Sequence, residues 1–217
     1  MTIAENLQKI NTTLSKSVTL VAVSKTKPIT AIKEAYDAGQ KIFGENKIQE
    51  MAEKFGVLPK DIQWHMIGHL QRNKIKYMAH FVSLIHGVDS LKTLKEIDKQ
   101  AKKHNRIIEC LLQVKIATED TKFGLDSLEI NSILVSEEYK EFENVSIVGL
   151  MGMSTFTDDK IQIRNEFKSL KTIFDFQKNT HPNFKLLSMG MSGDYTIAIE
   201  EGSTMIRVGS SIFGSRQ

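Results

Sequence analysis

Short runs of β-branched and other apolar residues alternate along the chain with longer stretches in which apolar positions fall three and four apart. The first stretch, residues 1 to 15, places Ile3, Leu7, Ile10 and Leu14 on one face with Glu5 among them, which describes an amphipathic helix and not a signal peptide. Eight strand-like runs follow: "VTLVAV" (18 to 23), "KIF" (41 to 43), "IQWHMI" (62 to 67), "FVSLI" (81 to 85), "RIIECLLQVKI" (106 to 116), "VSIVGLM" (145 to 151), "FKLLS" (184 to 188) and "TMIRVG" (204 to 209). Each gap holds a helical pattern, clearest at 28 to 39, 90 to 104, 126 to 135 and 160 to 178, shortest around 71 to 79 and 193 to 201.

Strict alternation of this kind calls for a parallel sheet with helices outside it, and eight units close most naturally into a (β/α)8 TIM barrel. An open doubly wound sheet would want a glycine-rich turn after the first strand, and "SKTKP" has no glycine. With three prolines, no Gly/Ser-rich linker and no internal repeat, residues 1–217 are expected to form a single domain.

Composition narrows the class without deciding the function. At 41% hydrophobic content the 217 residues are those of an ordinary globular protein, and a net charge of +3 is too mild for a nucleic-acid binder. The basic runs "RNKIKY" and "AKKHNR" sit on helical patterns and read as solvated faces. The one cysteine, Cys110, lies in the apolar run "IIECLLQV", so it reads as a small buried hydrophobe in a reducing compartment. No apolar run reaches membrane-spanning length, and a cytoplasmic monomer with no membrane partner is the expectation.

A barrel carries its chemistry at the C-terminal ends of its strands. The residues there are Lys25, "GEN" (44 to 46), "HMIGH" (65 to 69), "TKFG" (121 to 124), "SMGMS" (188 to 192) and "RVGSS" (207 to 211). Loops after strands seven and eight commonly bind phosphate, and here Gly190 and Gly209 permit close approach of an anion while Ser188, Ser192, Ser210 and Ser211 supply hydroxyls and N–H groups. Ser192 alone would read as a cap of the following helix. A single lysine after a strand is by default a surface group, but one inside a barrel mouth is partly desolvated, which favours the free amine and Schiff-base chemistry. Phosphate on one side and an amine opposite point to pyridoxal phosphate. Lys25 continues the strand in phase with Val21 and Val23, whereas Lys27 precedes Pro28, the expected first helical position, and belongs to the loop. Arg207, inside the last strand, needs a partner: Glu45 or a pyridine nitrogen. His65 and His69 are spaced like a helical metal pair, but Gly68 and the strand before it argue against a helix and a metal; His65 reads as packing near the mouth, and Asn46 as a ligand contact or a structural residue.

The segments "AVSKTKP", "FGENKIQE", "WHMIGHLQRNK", "KFG", "LMGMS", "LSMGMSGDY" and "EGSTMIRVGSSIFGSR", in this order, resemble the pyridoxal phosphate homeostasis proteins, also called the YggS or PROSC family. The resemblance implies a barrel like the N-terminal domain of alanine racemase, with the cofactor as an aldimine on Lys25. It implies Arg207 facing the pyridine nitrogen, Ser188, Gly190, Gly209 and Ser210 holding the phosphate, and Asn46 and His65 lining the ring. Ser210 stands where relatives often have threonine, and Phe123 replaces a smaller or polar residue, which bears on that loop's contact alone.

The function expected on these grounds is binding and homeostasis of the cofactor without significant catalysis, with pyridoxal phosphate-dependent apoenzymes as recipients. A racemase or lyase on the same barrel is the alternative, and a phosphosugar enzyme without the cofactor a more distant one. A racemase of this kind, by resemblance, has a second domain and a partner-subunit tyrosine as second base; the chain is expected to lack that base unless Tyr195 or Lys122 replaces it.

Overall fold

The computed structural model describes residues 1–119 and 123–214. In chain order the elements are α1 (Ile3–Thr13), β1 (Thr19–Val23), α2 (Ile29–Asp37), β2 (Ile42–Glu45), α3 (Ile48–Val57), β3 (Gln63–Met66), a 3-10 helix (Arg72–Tyr77), β4 (Leu84–Val88), α4 (Leu91–Lys102), β5 (Ile108–Val114), α5 (Ser127–Val135), α6 (Glu137–Lys140), β6 (Val145–Gly152), α7 (Lys160–Thr180), β7 (Leu186–Ser188), α8 (Tyr195–Glu200), β8 (Met205–Val208) and α9 (Ser210–Phe213). All strand pairs are parallel, and β8 pairs back onto β1, with Val21 opposite Arg207, so the sheet is a closed eight-stranded barrel.

Period-two alternation divides the strands between two cores. Val21, Leu84, Leu111, Val148, Met151 and Met205 fill the barrel interior. Ala22, Phe43, Trp64, Ile85, Leu112, Leu150 and Ile206 pack outward against Ile32, Met51, Leu94, Ile130 and Phe167 of the helices. Each large side chain so enclosed stabilises the fold by about 1.5–3 kcal/mol. Cys110 belongs to the outer core, and burial pushes its thiol well above the ordinary range, as expected of an inert hydrophobe. Capping boxes start two helices, Thr2 with Glu5 on α1 and Asp126 with Glu129 on α5.

The expected strands are all present, the largest displacement being that of the fourth. β4 occupies Leu84–Val88 and not 81 to 85, because the amides of Phe81 and Val82 donate to Met78 O and close the preceding 3-10 helix. The run "RNKIKY" is that 3-10 helix, with Ile75 buried and the flanking lysines outward. In "AKKHNR" Ala101 is buried in the core, residues 102–105 are solvated, and the Arg106 guanidinium donates to Ala79 O and Val82 O, both at 2.7 Å.

Candidate functional site

At the C-terminal end of the barrel, β1 stops at Val23 and the chain turns over residues 24–27, closed by Lys27 N–H donating to Ser24 O at 3.0 Å. Lys25 therefore stands in a turn, two residues past the strand, and not in its continuation; it is half-buried. Thr26 beside it has φ of 63°, a left-handed conformation that a β-branched residue rarely adopts. Pro28 is the N-cap of α2 and Ile29 its first residue. Lys27 donates to Phe213 O at 3.1 Å and Gly214 O at 3.2 Å, at the end of α9.

The loops after β7 and β8 meet beside this turn. Ser192 Oγ accepts from Gly209 N at 3.2 Å and Ser211 N at 3.4 Å, so Ser192 joins the two loops and does not cap α8, whose N-cap is Asp194. Gly190 has φ of 97°, and a Cβ there would stand 2.6 Å from Ala198 Cβ; its carbonyl accepts Arg207 N at 2.9 Å. Asp194 stiffens the loop by accepting from Met191 N at 2.5 Å and from Ser154 Oγ at 2.6 Å. Gly209 lies against β1, where a Cβ would be 3.3 Å from Val23 O. Ser210 and Ser211 are exposed. Gly190, Ser192, Gly209 and Ser210 are thus gathered in one place, with backbone N–H groups that already hold one oxygen.

Below them a polar chain crosses the barrel interior. His65 Nδ1 shares a hydrogen bond with His86 Nε2 at 3.1 Å, and His86 Nδ1 another with Ser188 Oγ at 3.1 Å. Arg207 donates to Ser188 Oγ at 2.6 Å, Ser188 O at 2.9 Å and Gly152 O at 3.0 Å. All four side chains are buried. A bond between two imidazole nitrogens needs one donor and one acceptor, so the chain cannot carry both rings as imidazolium and the accepting ring is neutral. Burial agrees: it holds His65 down at about 3 and His86 well below the ordinary value, with the charges of His65 and Arg207 adding to the latter. Burial also lowers Arg207 to about 10, which leaves it protonated at neutral pH, with two of its five N–H donors beyond the three bonds above.

Two expectations change here. Arg207 does not pair with Glu45: alternation along β2 turns Gly44 inward and Glu45 outward, where Glu45 Oε1 accepts from Lys54 Nζ at 2.7 Å and Ser24 Oγ at 2.6 Å. Ser188 lies inside the barrel with its hydroxyl committed to His86 and Arg207, and the hydroxyl that meets the Gly209 amide is that of Ser192.

The rim on the other side is built by close backbone approach. Asn46, half-buried after β2, lies so near Gly68 that a Cβ on Gly68 would be 2.8 Å from Asn46 Cα, and Gly87 abuts Gly68 O in the same way. His65 points inside, whereas His69 is exposed, 3.5 Å from Asp89 through Nδ1 and edge-on to Phe123. Gln113, buried on β5, donates to Phe123 O at 2.8 Å. Tyr195 is half-buried beside Gly190; Lys122 lies outside the described residues. His86 and Gln113 escaped the sequence reading. The inward alternation of "LIHGV" and "CLLQV" carries the signal for both, once the strand boundaries are right.

Residues 1–217 match the family described as alanine racemase, N-terminal domain. A protein of Aquifex aeolicus named pyridoxal phosphate homeostasis protein is 38% identical over 200 residues, which cover 91% of this chain and 87% of that one. One of the same name from Synechocystis is 40% identical over 215 residues, 96% of each. Among solved structures, PipY of Synechococcus elongatus without PLP superposes with a TM-score of 0.91 at 36% identity, covering 98% of this chain and 100% of that one. Its form with PLP bound superposes at 0.88 with the same identity and coverage. Alanine racemase of Clostridium difficile shares the fold at 14% identity and a TM-score of 0.79, covering 99% of this chain and 56% of the racemase.

Proposed function

The chain belongs to the family of pyridoxal phosphate homeostasis proteins, and from that premise we propose that it holds pyridoxal 5'-phosphate in the mouth of its barrel, anchored by Lys25. Bound there, the cofactor supplies an aldehyde to an amine and a pyridine ring that can draw electrons from it. Gly209, Ser210 and Gly190, together with Ser192, receive the phosphate; Arg207 offers its two remaining donors to the ring nitrogen; Asn46 and His65 border the ring. Ser188 serves by holding Arg207.

The observation that carries this assignment is the position of Gly209. Its amide and that of Ser211 converge on the Ser192 hydroxyl, and the same glycine lies against Val23, two residues before Lys25. An anion held by those amides and an aldehyde within reach of the Lys25 turn describe one small ligand.

Arg207 also supports a carrier over a catalyst. A guanidinium that stays protonated can only donate, so the ring nitrogen facing it accepts and remains unprotonated, which makes the ring a weak electron sink. We take the protein as a single-domain cytoplasmic monomer that stores the cofactor and passes it to apoenzymes, without significant turnover of amino acids. Among the described residues, no helix is long and apolar enough to cross a membrane.

The test is an absorbance spectrum of the purified protein before and after borohydride, followed by peptide mass mapping. The reduced adduct is expected on Lys25. An adduct on Lys27, or an unchanged spectrum in Lys25→Ala, defeats the assignment.

A further inference from the structure

The "GENKIQE" segment supplies Asn46 to the rim, yet its two glutamates have no part in the site described so far. Both face the turn that carries Lys25. Lys54 Nζ donates to Ser24 O at 2.9 Å and to the carboxylates of Glu45 and Glu50, each at 2.7 Å. Ser24 Oγ donates to Glu45 Oε1 at 2.6 Å, and Thr26 N donates to Glu50 Oε1 at 2.6 Å. The residues on either side of Lys25 are therefore held, by side chain and backbone, to one ion cluster on β2 and α3.

Three features argue that this cluster serves the turn. Glu45 is fully buried and Oε2 has no partner among the described residues, a costly placement that the outer core could have filled with an apolar side chain. Thr26 sits at φ of 63°, which persists only where surrounding contacts over-determine it, and the Glu50 bond is made to that residue's amide. Glu50 Oε1 accepts from both Thr26 N and Lys54 Nζ, while Ser24 O accepts from both Lys54 Nζ and Lys27 N, so the bonds form one connected network. Resting on the assignment of Lys25 as the anchor, we propose that Glu45, Glu50 and Lys54 are positioning residues that fix the 24–26 turn and thereby aim the Lys25 amine into the mouth. They set how fast the lysine captures an aldehyde, and leave the affinity of the phosphate cradle unchanged.

Two ligands separate these effects: pyridoxal 5'-phosphate, whose attachment to Lys25 is followed by absorbance, and pyridoxine 5'-phosphate, which keeps the ring and phosphate but has no aldehyde. In Glu50→Ala the attachment rate should fall roughly ten- to a hundredfold, the effect of a reacting group misplaced by about 1 Å, while pyridoxine 5'-phosphate binds as in the unaltered protein. Glu50→Gln keeps an acceptor for Thr26 N–H and should recover most of the rate. Glu53→Ala, which removes an exposed carboxylate from the same helix, should attach at the unaltered rate. The double variant Glu45→Gln, Lys54→Met removes the buried charges together, and should reproduce the slow attachment if Glu50→Ala fails to fold. Attachment at the unaltered rate in both clamp variants overturns the proposal, as does an equal loss of pyridoxine 5'-phosphate binding. Borohydride trapping in the unaltered protein is the separate arm: if it labels no adduct on Lys25, the anchor assignment itself has failed, whatever the variants do.

Discussion

The paired imidazoles inside the barrel make a quantitative demand on the pH dependence of stability. In the unfolded chain both rings take a proton near the ordinary value of 6.5, whereas in the native chain burial holds His65 at about 3 and His86 well below its ordinary value. For groups depressed in this way stability is complete above pH 6.5 and is lost as the pH falls, because the unfolded state gains protons the native state refuses. At pH 5 the His65 ring costs about 1.36 × 1.5, or about 2 kcal/mol relative to neutral pH, with a local slope near about 1.3 kcal/mol per pH unit, and His86 acts in the same direction. Glu45 opposes the trend, since burial raises its value and the native chain there takes up a proton before the unfolded one does. Urea unfolding from pH 7.5 to 4.5, compared with the double variant His65→Asn, His86→Asn, isolates the rings. The variant starts from a lower stability because its polar chain is broken, but its slope between pH 6.5 and 5 should be flatter by at least about 1.3 kcal/mol per unit near pH 5, the share of His65. Parallel slopes, or ring NMR shifts showing an imidazolium at either position at pH 5 in the native protein, would refute the reasoning.

Other outcomes follow from the same site. Pyridoxal 5'-phosphate should bind the apoprotein at least about a hundredfold more tightly than pyridoxal, since charge-assisted bonds to the phosphate are worth about 1.5–3 kcal/mol each; equal affinities by titration would remove the phosphate role from Gly209 and Ser210. Gly68→Ala should displace the Asn46 backbone and cost about 1–3 kcal/mol in urea unfolding, with weaker cofactor binding; unchanged values for both would show that the rim yields freely. Incubated with L-alanine in deuterated water, the loaded protein should racemise at well under about one turnover per second; a rate at or above that would promote the racemase.

The eight-unit barrel was legible because each strand and helix announces its own period, and because "SKTKP" lacks the glycines of the rival fold. Strand ends were less legible. The apolar stretch from Phe81 to Val88 contains no internal mark of where pairing starts, and placing the strand three residues early left His86 outside it. Ending the second strand at Phe43 likewise hid the inward and outward alternation of Gly44 and Glu45, and with it the true partner of Glu45. Ser192 shows a different obstacle: its bonds run to the amides of another loop, and no local pattern encodes a contact between β7 and β8 ends.

The pairing of β1 with β8 has a consequence for how the protein is made. The Lys25 turn and the loops after β7 and β8 meet across that seam, yet the turn emerges from the ribosome well before those loops. Until β8 has been made, the turn has no neighbouring strand on that side, and the loop that must close to unite β1 with β8 runs through all the other strands of the barrel, the kind of contact that forms late in folding. On the proposed site, a chain interrupted before β8 lacks half of what the ligand needs, and loading with cofactor becomes a certificate of barrel closure, issued only after β1 and β8 have found each other.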